Sequence, residues 1–96
     1  MNRNTAPALN PVWRPRLHPG LRMEVIEGEA IALDRDQNRV HHLNEVATFI
    51  LGICTGERTE AEIVAGVIEH FDIQQAVADA DARELLSQMR ALDIVV

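Results

Sequence analysis

Two adjacent histidines, His41 and His42, are the residues whose chemistry most needs an explanation. They lie in the stretch NRVHHLNE, where a short predicted strand runs into a helix. Imidazole rings can ligate a metal or act in acid–base catalysis. Side chains alternate between the two faces of a strand, however, so both rings can ligate one metal only across a bulge. His18 and His70 are distant in the sequence, and no CxxC or HExxH spacing is present. We therefore expect no metal site and interpret the pair as the edge of a binding surface.

The sequence offers poor material for nucleophilic catalysis. Such a site needs a nucleophile, a base and an orienting group held together. Ser87 is the only serine, and Cys54 belongs to the apolar stripe of the first predicted helix, where an unpaired cysteine is ordinarily a small core residue. The carboxylates of Glu60 and Glu62 suit a helix N-terminus. We expect no catalytic residue, no cofactor and no enzymatic activity.

Length and composition indicate one small folded domain. The chain has 96 residues, of which 47% are hydrophobic, enough for a single modest core. Its one cysteine cannot form an intramolecular disulfide, and neither a secretory signal nor an apolar run of about 20 residues is visible. The sequence therefore predicts a cytoplasmic protein with no membrane contact.

The first twenty residues differ from the rest. Prolines recur there every four residues, at Pro7, Pro11, Pro15 and Pro19. Proline fixes φ and removes a backbone donor, so this spacing predicts an extended, irregular arm over residues 1–20. The charged residues of the arm are all basic, and they could meet an acidic partner. The domain itself is expected over residues 21–96.

Period-two patterns after the arm predict three strands. The first begins at Leu21, the second contains Ile31 and Leu33, and the third covers residues 39–43. Turn-forming residues separate them. The order predicts an antiparallel meander whose last strand is an edge.

Apolar residues at helical spacing then predict three helices, and so an α+β fold with a three-stranded antiparallel sheet followed by a three-helix bundle. The first helix follows Asn44, a favoured N-cap, and ends by Gly56. The second begins with a capping box at Thr59 and ends near Phe71. The third is expected over residues 75–92. Its expected core stripe is Ala78, Ala82, Leu85, Met89 and Leu92.

Three helices beside a small sheet are also typical of winged helix-turn-helix DNA-binding regulators. The third helix would then read the major groove. It carries Asp79, Asp81 and Glu84 against Arg83 and Arg90, a balance that phosphate would repel, and the whole chain has a net charge of −6. A protein-interaction or dimerisation module is the other alternative.

The open edge of the third strand is the remaining candidate site. An edge strand presents unpaired backbone groups, and an incoming peptide can extend the sheet through main-chain hydrogen bonds. We therefore expect residues 39–43 to pair with a visiting chain.

Three segments of the chain resemble the PqqD-like proteins, also called precursor-peptide recognition elements: PRLHPGLRMEV, RVHHLNEVATFILGICTGERTEAEIVAGVIEHFDI and DARELLSQMRALDIV. The most specific part is Leu43-Asn44, the apolar helix, then GERT at residues 56–59 followed by Glu62-Ile63. The resemblance implies a winged-helix-like fold that does not bind DNA. It also implies a non-catalytic peptide chaperone, which holds the leader of a precursor peptide as an added strand and presents it to a modifying enzyme, often a radical S-adenosylmethionine protein.

The expected partners are thus a leader peptide and a modifying enzyme, with no nucleic acid and no membrane, and the protein is expected to be a monomer or a weak homodimer. One histidine should pack toward the helices beside Leu43, and the other should face outward. Leu86 is expected to contact an apolar leader side chain, and Arg83 and Arg90 are expected to pair with leader acids. The full set of expected peptide-binding residues is Arg39, Val40, His41, His42, Leu43, Arg83, Leu86 and Arg90.

Overall fold

The computed structural model describes residues 12–96, so Pro7 and Pro11 of the expected arm lie outside the described residues. Three antiparallel strands precede three helices, which confirms the expected α+β order. The elements are β1 (Leu21–Ile26), β2 (Glu29–Asp34), β3 (Arg39–Leu43), α1 (Glu45–Ile53), α2 (Glu60–Phe71) and α3 (Gln75–Ala91). β2 is the central strand, and β1 and β3 are the edges. Within the described range, no helix combines the length and apolarity needed to cross a bilayer.

The sheet packs on the helices through one face. In the β2–β3 ladder, Ala30 pairs with Leu43 and Ala32 pairs with His41. Both alanines and Leu43 are buried, whereas Val40, on the opposite face of β3, is 58% exposed. Small side chains on β2 let α1 lie close to the sheet, and α1 contacts both β2 and β3. The inner face of β3, which packs toward the helices, is therefore the one that carries His41 and Leu43.

Helix α1 begins as expected and ends earlier than expected. The Asn44 side chain accepts a hydrogen bond from the Ala47 N–H at 2.9 Å, as an N-cap does. Gly56 was expected at the left-handed position directly after the helix, but the helix ends at Ile53 and is capped by Cys54. Gly56 instead adopts a φ of 86° in the following loop, where its N–H donates to the Pro15 carbonyl oxygen at 3.0 Å. The residues after α1 serve to hold the N-terminal segment.

The expected capping box of α2 is present. The Thr59 hydroxyl accepts from the Glu62 N–H at 3.2 Å, and the Glu62 carboxylate accepts from the Thr59 N–H at 2.8 Å. Two otherwise unpaired N–H groups are thereby satisfied. Asp72, with a φ of 52°, ends the helix in the left-handed region.

The expected core stripe of α3 is partly wrong. The buried residues of α3 are Ala78, Ala82, Leu86 and Met89. Leu86 has an exposed fraction of 0%, whereas Leu92 is 44% exposed. Successive residues are about 100° apart around a helix, so the buried face is centred nearer Leu86 than expected. Leu85 is only partly buried and packs at the margin of the core.

Residues 12–20, the described part of the expected arm, lie along the C-terminal tail, residues 93–96. Arg16 and Val96 exchange backbone hydrogen bonds of 3.1 and 2.8 Å, and the His18 N–H donates to the Ile94 carbonyl oxygen at 2.9 Å. The tail therefore pairs with this segment.

Candidate functional site

The outer edge of β3 is unpaired in the described part of the chain. β3 is bonded to β2 on one side, and the isolated bridges outside the sheet join Arg16 to Thr55 and Leu17 to Val95. Backbone N–H and C=O groups on the free side of an edge strand point outward and can bond to another strand. Neither the N-terminal segment over residues 12–20 nor the C-terminal tail occupies this edge.

A groove of about 340 Å³ separates β3 from α3. One wall is the strand and the other is the helix, and Ile94 of the tail lies in the lining. Helix α3 contributes Leu85, Gln88 and Met89, and its C-cap residue Leu92 lies in the same lining. An added strand on β3 would therefore have a largely apolar helix surface beside it.

A second cavity of about 320 Å³ lies beside the groove, among α1, α2 and α3. The two cavities share Asn44, Leu85 and Gln88 in their linings, so they are adjacent. The apolar lining of the second cavity includes Val46, Val67, Ile73 and Ala78. The carboxylates of Asp81 and Glu84 lie on exposed positions of the same lining and make this end of the groove acidic.

The two histidines of β3 face opposite ways. His41 shares the inner face with Leu43, is half-buried and lines the groove, while His42 is exposed. The Nε2 atom of His41 is buried and has no hydrogen-bond partner among residues 12–96. In the same range, no group of three or more His, Cys, Asp or Glu side chains is arranged to hold a metal ion.

Three of the expected contact residues on α3 do not reach the groove. Leu86 is buried in the core. The Arg83 guanidinium donates to the Glu60 carboxylate at 2.9 Å and to Asp79 at 3.1 Å, and so lies against α2. The guanidinium of Arg90 lies 4.4 Å from the ring centre of Trp13.

Positions 83 and 90 lie about 140–160° around the helix from Leu85, at about 100° per residue. The groove is therefore lined by a different flank of α3 from the one expected to contact the peptide. The groove side carries Leu85, Gln88 and Leu92, and two of these were expected to be core. One signal in the sequence points to this outcome, because two consecutive leucines supply one more apolar residue than a single buried stripe requires.

Cys54 is unsuited to act as a nucleophile. Its side chain is in the core, and burial raises the pKa of the thiol to about 12. The thiolate, which is the reactive form, is therefore scarce at neutral pH. The described site instead offers unpaired backbone groups along β3 and apolar side chains on α3.

Comparison with known proteins relates this arrangement to other chains. No curated protein matches the chain. Two solved structures share its fold, each at 15% sequence identity. TbiB1 in complex with the TbiA(beta) leader peptide has a TM-score of 0.74, covering 83% of this chain and 93% of that one. Lasso peptide synthetase B1 complexed with the leader peptide has a TM-score of 0.75, covering 88% and 99%.

A family match covers the part of the chain that builds the groove. Residues 29–95, from β2 to the tail, match the family described as Coenzyme PQQ synthesis protein D. This range includes β3, α3 and the residues between them. The match spans well over half of the sequence, and the chain therefore belongs to the PqqD family.

Proposed function

We propose that this protein is a non-catalytic peptide chaperone that binds the leader of a precursor peptide by strand addition and presents it to a modifying enzyme. The observation that carries the proposal is the unpaired outer edge of β3 beside a groove whose helix wall includes Leu85 and Met89. Two proteins of the same fold, solved as complexes with leader peptides, support it. A radical S-adenosylmethionine enzyme in the cytoplasm is the proposed recipient, as the family resemblance implies.

The leader would lie between β3 and α3 as a fourth strand. Its backbone would bond to the outward N–H and C=O groups of Arg39–Leu43. Alternate leader side chains would point to the inner face and contact Leu85 and Leu92, because successive side chains of a strand alternate between faces. Apolar side chains at every second leader position would thereby be buried away from water.

The charges of the groove favour a basic leader segment. Apart from the two histidines, the ionisable side chains in the linings of the two cavities are Asp81 and Glu84. A lysine or arginine of the leader at that end would find complementary charge. This proposal replaces the expectation that Arg83 and Arg90 pair with leader acids, since those arginines lie on the other side of α3.

The same charges argue against DNA binding. A recognition helix needs cations that are available to phosphate. Arg83 is engaged by two carboxylates, and Arg90 lies over Trp13. The net charge of −6 adds a long-range repulsion of the phosphate backbone.

Titration of isotope-labelled protein with synthetic leaders of the precursor peptides encoded beside its gene tests the proposal. We expect the largest amide chemical-shift changes in β3 and at Leu85, Gln88 and Leu92. Slower hydrogen exchange of outward β3 amides would accompany them. Chemical-shift changes confined to the side of α3 that faces α2 would contradict the proposed position of the leader between β3 and α3. If the protein binds a modifying enzyme but none of these leaders, it is a protein-interaction module instead.

A further inference from the structure

We infer that the modifying enzyme docks on the outer face of the sheet, and that outward side chains of the bound leader complete the docking surface. The inference rests on the proposed function and adds the surface through which the loaded protein meets its partner. The inferred occupant is an apolar surface of the enzyme that is bordered by lysine or arginine residues.

The outer face of the sheet carries apolar side chains on all three strands. Leu33 of β2 pairs with Val40 of β3, and Ile31, two residues before Leu33, lies on the same face. Ile26 of β1 pairs with Glu29, and alternation along β2 places this pair on the outer face as well. Val40 is 58% exposed and Ile26 is 62% exposed. A group of apolar side chains that stays open to solvent across a whole sheet is typical of a contact surface.

A depression of about 470 Å³ shapes this face at the end nearest the β1–β2 turn. Its lining includes Ile26, Ile31 and His42, together with Glu27 and Glu29. Both glutamates are exposed, and neither takes part in an ion pair within residues 12–96. The depression therefore suits an apolar side chain of a partner that carries cations beside it.

The charges around the apolar residues favour a different protein over a second copy of this chain. Three glutamates, Glu24, Glu27 and Glu29, lie in or beside this face against one arginine, Arg22. The Arg22 guanidinium already lies 3.9 Å from the Glu24 carboxylate. Two copies packed face to face would bring together two surfaces with an excess of negative charge, which opposes association. A partner with cations would instead find complementary charge.

A bound leader would extend this face. Val40 and His42 are the outward residues of β3, the strand to which the leader would be added. Successive side chains of a strand alternate, so every second leader side chain would lie beside Val40 and His42 while the others enter the groove. The enzyme would then contact the protein and the leader side by side, and the complete surface would exist only in the loaded protein.

The groove and the outer face can be occupied at the same time. The helix wall of the groove, which includes Leu85 and Met89, lies on the inner side of β3. Ile31 and Leu33 point away from the helices, and neither of them lines the groove. An enzyme on the outer face would therefore not displace the leader.

Biolayer interferometry with the immobilised modifying enzyme encoded beside the gene, at saturating leader, tests the inference. The double variant Ile31→Thr/Leu33→Thr removes apolar surface and introduces residues that favour strands. It should weaken enzyme binding at least tenfold and leave leader affinity within about twofold of wild type. Val77→Thr is the matched control, because Val77 is 49% exposed on α3 and lines none of these cavities.

A charge variant gives a second measurement that does not depend on the apolar residues. Glu29→Gln should weaken enzyme binding severalfold, and the loss should shrink at high salt as charges are screened. Glu69→Gln removes the same charge from an exposed position on α2 and should leave enzyme binding within about twofold of wild type. Equal enzyme affinities for these two variants would contradict the inferred cationic border.

A serine scan of the leader tests whether its outward side chains complete the surface. Inward leader positions should weaken binding to this protein when they are replaced by serine. The alternate, outward positions should leave that binding within about twofold and weaken recruitment of the enzyme to the loaded protein. A scan without this period of two in enzyme recruitment would overturn the leader's part in the surface.

The outcomes separate the inference from the proposed function. If the enzyme binds wild type and the Ile31→Thr/Leu33→Thr variant equally, the inference is overturned, and leader binding leaves the proposed function standing. If wild type forms a dimer in sedimentation experiments and the double variant does not, a second copy covers the face and the inference is also overturned. If wild type binds no leader, the proposed function itself fails.

Discussion

Thr48 of α1 accepts a hydrogen bond from the backbone N–H of Ala30 in β2, with 2.9 Å between its Oγ1 atom and the nitrogen. The same hydroxyl donates to the Leu43 carbonyl oxygen at 3.2 Å. Ala30 and Leu43 are cross-strand partners at one end of the β2–β3 ladder. One buried side chain thus fastens the first helix to the strand that forms the groove.

Thr48→Val should lower the free energy of unfolding by about 1–3 kcal/mol, because the Ala30 N–H would remain buried without a partner. Urea denaturation followed by circular dichroism measures the change. Thr48→Ser, which keeps the hydroxyl and loses a methyl group, is the control and should cost less. If the valine variant were as stable as wild type, the two hydrogen bonds of the Thr48 hydroxyl would make no net contribution to the free energy of unfolding.

The adjacent leucines of α3 should separate stability from binding. Leu86→Ala should lower the free energy of unfolding by about 2–5 kcal/mol, because it opens a cavity in the core. Leu85→Ala should cost less stability and weaken leader binding about tenfold through lost apolar contact. Urea denaturation and fluorescence anisotropy with a labelled leader measure the two effects. Equal leader affinities for wild type and Leu85→Ala would contradict the position of the groove.

Neighbouring charges on α3 should also behave differently. Glu84→Gln should weaken binding of a basic leader severalfold, and the loss should shrink at high salt as charges are screened. Arg83→Gln should leave that affinity within about twofold of wild type, since Arg83 bonds to Glu60 on the side of α2. Isothermal titration calorimetry at two salt concentrations distinguishes them. If Arg83→Gln weakened leader binding more than Glu84→Gln did, the leader would contact the Arg83 side of α3, as the sequence predicted.

Cys54 should resist alkylation while the protein is folded. Burial raises the pKa of its thiol from 9.0 to about 12, which lowers the thiolate fraction at neutral pH about a thousandfold before steric protection is counted. Mass spectrometry after iodoacetamide treatment should show unmodified native protein and rapid labelling in guanidinium chloride. Native labelling at the rate of a free cysteine would mean that the core around α1 opens readily.

The capping box of α2 should make stability depend on pH. The hydrogen bond from the Thr59 N–H lowers the pKa of Glu62 below its usual 4.5, so the charged carboxylate favours the folded state above the unfolded pKa. That contribution is lost as the pH falls through the lower, folded-state pKa. Glu62→Gln can still cap but cannot ionise. Its melting temperature should lie below that of wild type at about pH 6 and approach it at about pH 3. A constant difference would exclude the carboxylate as the cause.

Local structure in this chain was largely determined by the sequence. Asn44 and the pair Thr59 and Glu62 begin their helices as expected, because a cap depends only on residues three or four positions apart. Alternation along β3 correctly placed one histidine inward and one outward, because the side-chain period of a strand is fixed by its backbone. These features need no information about the rest of the fold.

The groove side of α3 was decided only by tertiary structure. Leu85 and Leu86 are chemically identical, and either could complete an apolar stripe on an isolated helix. In the folded protein Leu86 is buried in the core, Arg83 bonds to Glu60 of α2, and Leu85 is only partly buried and lines the groove. The early end of α1 has a similar origin, since Gly56 bonds to Pro15, a residue about forty positions away. Short-range rules set each element, and contacts between distant residues determined which of its faces remained available to a ligand.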